Sequence, residues 1–252
     1  MRDASTVCRV KLHVHEWGDP SLPTLVCLHG VTAHGERFKQ LAEERWAERF
    51  HVLAPDLRGH GRSSWEPPWT LAQHVEDLAE TFPKPCNWLG HSFGGRLVLE
   101  LAARRPELVR RAVLLDPALH VLPHVAEYIA DQERAEQIYD SVEAYVDSRN
   151  DAAGLDRARA IADMSLHVDE LPDGRVRRRS SQSAVVSIYG ELATEPPPPP
   201  PVPTLLLYAP DYGLVRDEHV RQYDNVVTVP GGHMVMWSAF DATARAVEQF
   251  LS

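Results

Sequence analysis

Apolar runs alternate with amphipathic stretches over the first 117 residues of the chain. Three of the runs are almost wholly apolar, which is the pattern of strands buried on both faces of a sheet. They are "TLVCLHG" (24–30), "HVLAPDL" (51–57) and "RAVLLDP" (111–117). Helical periodicity predicts helices over Glu36–Arg49, Thr70–Phe82 and Gly94–Arg104. Because strand and helix alternate, the pattern predicts an α/β fold with a mostly parallel central sheet flanked by helices.

The first strand-like segment and the last ones extend this sheet. The segment "VCRVKLHVHEW" (7–17) alternates apolar and polar residues, which is typical of strands with one solvated face. We therefore expect an exposed antiparallel hairpin at an edge of the sheet. Near the other end of the chain, "TLLLYAP" (204–210) and "NVVTVPG" (225–231) predict two more strands, followed by a helix over Ser238–Leu251.

The alternation of strand and helix stops after Asp116. Residues 118–195 contain amphipathic helical stretches and no convincing strand, so we expect an inserted helical unit. Six consecutive prolines, Pro196–Pro201, then predict an extended polyproline II strut. The chain is therefore expected to divide into a core (residues 1–117 and 202–252) and a helical insertion (residues 118–201) that ends in the strut.

Net charge narrows the class of partner. The 252 residues carry a formal net charge of −10, which argues against nucleic acid or an anionic membrane because both need a basic face. The one basic cluster, Arg175–Arg179, follows a "PDG" turn and is interpreted as a solvated loop or a salt-bridging face. No apolar run approaches the roughly 20 residues of a membrane helix. Because the first residues also lack the apolar core of a secretory leader, a cytoplasmic protein is expected.

The cysteines do not suggest covalent or metal cross-links. Cys8, Cys27 and Cys86 are odd in number and widely spaced, which predicts neither a disulfide framework nor a zinc site. We interpret them as small buried hydrophobic residues. We expect no metal, no cofactor and a small-molecule partner, with the chain a monomer or a homodimer.

A serine lies where a predicted strand turns into a predicted helix. The strand "CNWLG" ends at Gly90, and the helical pattern begins at Gly94, with Ser92 between them. The spacing Gly-x-Ser-x-Gly in this context is that of a nucleophile elbow, in which a strained turn exposes the hydroxyl and needs small neighbours two positions away. Backbone N–H groups at the start of the helix are then available to a developing oxyanion.

Activation of the serine needs a base and an acid. His233 follows the last predicted strand in "VPGGHMVMW" and is the expected base, because the chain order serine, acid, histidine is common to hydrolases with such an elbow. Two aspartates at strand ends lie between Ser92 and His233. Asp211 is the preferred acid and Asp116 the alternative, since either can orient the imidazole.

Four motifs together resemble the α/β-hydrolase superfamily, in the family's order and spacing. They are "HG" (29–30), "PDLRGHGRSS" (55–64), "GHSFGG" (90–95) and "GGHMV" (231–235). The resemblance implies a serine esterase or lipase-like member with Ser92 and His233 in a catalytic triad. It also implies an oxyanion hole formed by the backbone N–H groups of Val31 and Phe93, and a lid formed by the helical insertion.

The chain departs from the family pattern at the acid. Members usually carry it in a Gly-x-x-Asp turn after the seventh strand, whereas Ala209 replaces the glycine here and Asp211 comes one residue early. Some relatives carry the acid after the sixth strand, which keeps Asp116 as a candidate. Around the site, His91, Trp65 and Tyr128 are further candidates for substrate binding. His29 is expected to hydrogen-bond to backbone within its loop.

These residues predict acyl transfer to water through an acyl-enzyme intermediate. Substrates are expected to be uncharged or weakly charged esters or lactones of modest size, because the insertion shows no cationic clamp. Thioesterase, carbon–carbon bond hydrolase, perhydrolase and menaquinone-pathway synthase activities use the same scaffold and remain alternatives, as does a non-catalytic ligand receptor. For the synthase, Arg96 in "GGR" gives slight support, although a surface arginine on a helix is the simpler explanation.

Overall fold

The computed structural model describes residues 12–149 and 156–252. Its main sheet has seven strands in the order β1-β3-β2-β4-β5-β9-β10, and a second sheet has three strands in the order β6-β8-β7. The strands of the main sheet are β1 (Val14–Trp17), β2 (Thr24–Leu28), β3 (His51–Pro55), β4 (Cys86–His91), β5 (Val109–Leu115), β9 (Thr204–Tyr208) and β10 (Asn225–Thr228). The smaller sheet contains β6 (Ile138–Tyr139), β7 (Val168–Glu170) and β8 (Val176–Arg178).

All neighbours in the main sheet are parallel except β1, which pairs antiparallel with β3 at one edge. An antiparallel hairpin at a sheet edge was predicted for 7–17. The antiparallel edge position is confirmed for β1, whereas residues 7–11, which would form the other arm, lie outside the described residues. In the interior, successive residues of β2 enter different cores. Val26 and Leu28 pack into the cluster with Trp88, while Leu25 and Cys27 pack into the opposite one. Burial on both faces explains why this strand is an apolar run rather than an alternation.

Ten α-helices lie in the described part of the chain, several of them one turn long. They are α1 (Lys39–Leu41), α2 (Leu71–Thr81), α3 (Phe93–Arg104), α4 (Pro123–Glu133), α5 (Val142–Asp147), α6 (Arg157–Ser165), α7 (Gln182–Leu192), α8 (Asp217–Val220), α9 (Val235–Ser238) and α10 (Phe240–Leu251). The helix expected over 36–49 is a mixed segment, with a 3₁₀ turn (Gly35–Phe38) before α1 and a π-helical turn (Ala42–Trp46) after it. No described helix is long and apolar enough to span a membrane.

The insertion between β5 and β9 contains the three strands of the small sheet, so the expectation of a segment without strands is wrong. Gly174, at φ 84°, turns the chain between β7 and β8. Along β8, Val176 and Arg178 are buried while Arg177 is exposed. Arg178 donates to Glu133 Oε1 at 3.0 Å. One of the two inward-facing residues of β8 is therefore a charged side chain in an ion pair. Because that residue is not apolar, a search for alternating apolar residues does not detect the strand.

Arg96 is buried inside the fold, which corrects the interpretation of a surface arginine. Its side chain is 1% exposed. The guanidinium donates to the carbonyls of Leu119 at 2.6 Å, Thr194 at 3.1 Å and Glu195 at 2.9 Å, and to Glu100 Oε1 at 3.1 Å. Leu119 and Thr194 lie near the two ends of the insertion, so one side chain of α3 joins both ends to the core.

Two cysteines in the described residues, Cys27 and Cys86, are buried and unpaired, as predicted. Burial raises the pKa of the Cys86 thiol to about 12. Cys8 lies outside the described residues.

His74 on α2 makes the stability of the fold depend on pH. The ring is buried against Phe93 with centroids 5.3 Å apart, and its nitrogens have no hydrogen-bond partner in the described chain. Burial lowers its pKa to about 3, so below pH 6.5 the unfolded chain takes up a proton that the folded chain does not. The free energy of unfolding is therefore expected to decrease as the pH is lowered below 6.5, by about 1.4 kcal/mol per pH unit for this group.

A leucine at position 74 removes this dependence. Urea unfolding at pH 7 and pH 5 is expected to show a loss of stability that is smaller in His74→Leu than in the wild type by about 2 kcal/mol. Other buried histidines titrate equally in both proteins, so the difference isolates position 74. Equal losses in the two proteins would contradict the prediction.

Candidate active site

Ser92 lies in a strained turn at the junction of β4 and α3. Its backbone has φ 55° and ψ −117°, a conformation that L-residues rarely adopt. A Cβ on Gly90 would overlap the backbone of Gly94, and a Cβ on Gly94 would overlap the carbonyl of Leu28. The two glycines are therefore required because strand and helix approach each other too closely for a side chain. This geometry is that of the elbow predicted from the sequence.

His233 is paired with Asp116. The imidazole Nδ1 lies 2.6 Å from Asp116 Oδ2, and the carboxylate is completely buried at the end of β5. The second carboxylate oxygen accepts the backbone N–H of Ala209 at 3.1 Å, which fixes the orientation of the group. A carboxylate accepts rather than donates, so Nδ1 carries the proton and Nε2 is left as an acceptor.

Asp211 does not contact His233, so the preference for it as the orienting acid is corrected. It lies in an exposed 3₁₀ turn, Pro210–Tyr212, and forms no hydrogen bond or ion pair within the described residues. Asp116 reaches the imidazole because β5 lies between β4, which leads to Ser92, and β9. The positive φ of 39° at Asp116 turns its side chain at the strand end. The order of the strands in the sheet, which cannot be read from the sequence, decides which of the two aspartates reaches His233.

Two aromatic rings enclose the imidazole of His233. Tyr212 stacks on it with centroids 4.9 Å apart and an interplanar angle of 13°. His91 lies on another side at 4.5 Å, and its Nε2–H donates to the His233 carbonyl at 2.9 Å. His91 is buried and does not line the cavity, so its expected role in substrate binding is corrected to support of the His233 loop. Tyr212 was not among the predicted site residues, and its one sequence signal is its position next to Asp211.

Both expected oxyanion donors lie beside Ser92. Phe93 is the first residue of α3, and Val31 lines the same cavity as Ser92. Within the described residues, the backbone N–H groups of Val31 and Phe93 donate to no other residue. His29 behaves as expected: its Nε2 accepts the Leu57 N–H at 2.9 Å, so its Nδ1–H donates to the Gly30 carbonyl at 2.7 Å.

A cavity of about 660 Å³ lies between the core and the insertion, and Ser92 and His233 both line it. No hydrogen bond joins Ser92 Oγ to His233 Nε2 in the described residues. The insertion and the loop after β9 contribute its apolar lining: Val121, Leu122, Val125, Ile129, Tyr189, Leu192 and Leu214. Tyr128, a candidate for substrate binding, lines this cavity.

Two further expectations about the cavity are wrong. Trp65 does not line it, because its ring is turned so that Nε1–H donates to the Gly61 carbonyl at 3.3 Å. No cationic clamp was expected either, whereas Arg149, Arg178 and Arg216 all line the cavity. The three arginines lie in separate segments, two in the insertion and one after β9, so they give no periodic signal, and only folding brings them to one surface.

His13, His15 and Asp56 form the one group among the described residues whose spacing suits a metal, with ligand atoms within 4.8 Å of one another. The carboxylate of Asp56 already accepts His15 Nε2–H at 3.2 Å, together with the backbone N–H groups of Gly35 and Arg62. Burial opposes ionisation of Asp56, but these hydrogen bonds outweigh it and bring the pKa well below its usual range. The group is outside the cavity lining, and its contacts explain it as a structural cluster.

The chain matches known proteins over most of its length. A family model described as alpha/beta hydrolase family matches residues 25–246. Lipase LipV of Mycobacterium tuberculosis is 36% identical over 192 residues, which cover 74% of this chain and 73% of that protein. The 2-(acetamidomethylene)succinate hydrolase of Mesorhizobium japonicum is 27% identical over 262 residues, covering 96% of this chain and 92% of that protein.

Solved structures agree on the fold. The structure of E-2-(acetamidomethylene)succinate hydrolase is similar with a TM-score of 0.85 and 24% sequence identity, over 97% of this chain and 96% of that chain. Residues 25–246, which the family model matches, include the strands β3, β4, β5, β9 and β10 of the main sheet. The chain therefore belongs to the alpha/beta hydrolase family.

Proposed function

We propose that this protein is a serine hydrolase that cleaves carboxylic esters or lactones through an acyl-enzyme intermediate. The observation that carries the proposal is the 2.6 Å contact between His233 Nδ1 and Asp116 Oδ2 beside a strained Ser92. A histidine held in this tautomer presents Nε2 as a base, and a buried carboxylate stabilises the imidazolium that forms. The sequence similarity to a protein named as a lipase supports the same class of reaction.

In the proposed reaction, Ser92 Oγ attacks the ester carbonyl while His233 Nε2 takes its proton. The alkoxide oxygen that develops accepts hydrogen bonds from Val31 N–H and Phe93 N–H. His233 then gives the proton to the leaving alcohol, and a water molecule, deprotonated by the same nitrogen, releases the acid. The Ser92–His233 hydrogen bond is expected to form with substrate bound, since such bonds are often longer in unliganded enzymes.

The cavity supports a substrate of modest size with an apolar portion. Its volume of about 660 Å³ is within the usual range for small-molecule sites, and aliphatic side chains of α4 and α7 line it. Arg149 and Arg216 add cationic groups to this lining, so esters that bear a carboxylate belong among the substrates to be tested. A relative whose name specifies a succinate derivative supports that choice.

Covalent labelling tests the nucleophile. An aryl alkylphosphonate is expected to add to Ser92 in the wild type and to leave Ser92→Ala unlabelled, as read by intact mass and peptide mapping. Ser63→Ala is the matched control, because Ser63 is buried and its hydroxyl is held by backbone groups: it donates to the Asp56 carbonyl and accepts the His13 N–H. Label on Ser63 or on none of the serines, together with no turnover of short aryl esters, would contradict the proposal and favour a non-catalytic receptor.

A substrate panel tests the reaction class. Neutral esters, carboxylate-bearing esters, lactones and thioesters of matched acyl length separate an esterase from a thioesterase. The menaquinone-pathway synthase loses its specific support, because Arg96 is buried in backbone contacts and does not line the cavity. Preference for a thioester over its matched oxygen ester would overturn the proposed ester specificity.

A further inference from the structure

The turn Gly30–Ala33 carries one proposed oxyanion donor, Val31, and its backbone is strained. Thr32 has φ 62°, a left-handed conformation that a β-branched residue rarely adopts. Ala33 N–H donates to the Gly30 carbonyl at 3.2 Å, so Thr32 is the third residue of a β-turn, where a positive φ usually selects glycine. Such strain persists only where the surroundings hold the residue in place.

His60 holds the backbone of Thr32. Its Nε2 accepts the Thr32 N–H at 3.3 Å, and its Nδ1–H donates to the Arg58 carbonyl at 3.1 Å. The two bonds require a neutral ring, because a protonated imidazole has donors on both nitrogens. The ring is fully buried, and burial lowers the pKa of His60 to about 4, so the acceptor persists at neutral pH.

The loop that carries His60 is attached to the insertion. Residues 59–61 lie against residues 179–181, which follow β8. Across this contact, Gly61 N–H and Ser181 N–H donate to backbone carbonyls at 2.9 and 2.8 Å, and His60 itself forms a β-bridge with the insertion. The position of the His60 ring therefore depends on how the insertion sits on the core.

We propose that His60 is a positioning residue that ties the oxyanion turn to the insertion through the Thr32 N–H. The role rests on the proposed function, because His60 acts through Val31 and touches no substrate. Without an acceptor at Nε2, Thr32 relaxes from its left-handed conformation, and the Val31 N–H turns away from the carbonyl oxygen. The insertion then contributes to stabilisation of the transition state in addition to lining the cavity.

Two polar substitutions separate this role from packing. The side-chain oxygen of glutamine reaches the place of Nε2, whereas that of asparagine reaches only the place of Nδ1. His60→Gln is expected to keep most of the wild-type kcat, and His60→Asn is expected to lower kcat about 10- to 100-fold with little change in KM. The ratio of kcat/KM for an ester to that for its thionoester should also fall in His60→Asn, since sulfur accepts hydrogen bonds from the oxyanion donors poorly.

His167→Leu is the matched control. His167 is also buried in the interior, but its ring stacks on His34 at 4.9 Å and its nitrogens form no hydrogen bond within the described residues, so the ester-to-thionoester ratio should not change. Equal losses of kcat in His60→Gln and His60→Asn, or an unchanged ratio in His60→Asn, would overturn the proposal.

Amide hydrogen exchange gives a readout that needs no activity. The Thr32 amide is expected to exchange faster in His60→Asn than in His60→Gln, because only glutamine keeps an acceptor for it. If the wild type hydrolyses no ester, the proposed function fails, and the exchange rates alone decide whether His60 holds Thr32. Equal exchange of the Thr32 amide in the two variants would overturn the positioning role.

Discussion

Asp116→Asn is expected to lower kcat by about 10⁴-fold, by analogy with the same change in a serine–histidine–aspartate triad. The asparagine keeps the size of the side chain, but its amide can donate to Nδ1 and thereby favour the wrong tautomer of His233. A proton on Nε2 would leave Ser92 without a base. Steady-state hydrolysis of an aryl ester at several pH values measures the effect, and KM is expected to change little.

Asp211→Asn is the matched control for this experiment. Asp211 follows the next strand of the sheet and is exposed, with no hydrogen bond or ion pair within the described residues. Its loss is expected to leave kcat close to the wild-type value. A large loss for Asp211→Asn with a small one for Asp116→Asn would reverse the assignment. Equal, small losses in both variants would show that neither carboxylate is the acid.

Arg96→Met is expected to lower the free energy of unfolding by roughly 3 to 5 kcal/mol, because it breaks a buried ion pair and removes donors from buried carbonyls. Methionine keeps much of the apolar volume of the side chain, so the loss is mainly polar. The carbonyls of Leu119, Thr194 and Glu195 would lose their shared donor, and both ends of the insertion would be less firmly attached. Urea unfolding at pH 7 measures the effect.

Arg104→Met tests whether burial is the cause. Arg104 pairs with the same Glu100, at 3.1 Å, but its side chain is 51% exposed. Exposed ion pairs contribute about 1 kcal/mol or less, so Arg104→Met should destabilise the protein far less than Arg96→Met. Similar losses in the two variants would contradict the structural role given to Arg96.

The core elements could be predicted because their signals are local. Runs such as Thr24–Leu28 are apolar along their whole length since both faces of the sheet are covered, and that burial is visible in one short segment. The strands of the insertion have no such signal. Arg178 faces inward on β8 because Glu133 on a distant helix pairs with it, and residues 45 positions apart in sequence form that contact.

The residues of the candidate site also fall into two groups, those with a local sequence signal and those that only folding brings together. Ser92 and His233 are marked by glycines and by chain order, which are properties of the local sequence. Asp116 and Asp211 both follow strands, so their local sequences do not distinguish them. Arg149 and Arg216 come from different segments and meet only in the folded cavity.

By itself, the sequence determined the alternating strand and helix pattern, the elbow at Ser92 and the histidine that follows the last strand. Those features depend on neighbours within a few residues, where backbone sterics and hydrophobic periodicity act directly. The tertiary structure decided that Asp116 contacts His233, that Arg96 is buried and that the Thr32 N–H donates to His60. Each of these contacts joins segments whose proximity follows from strand order and packing, and hydrogen bonding is limited to groups that folding brings within about 3 Å.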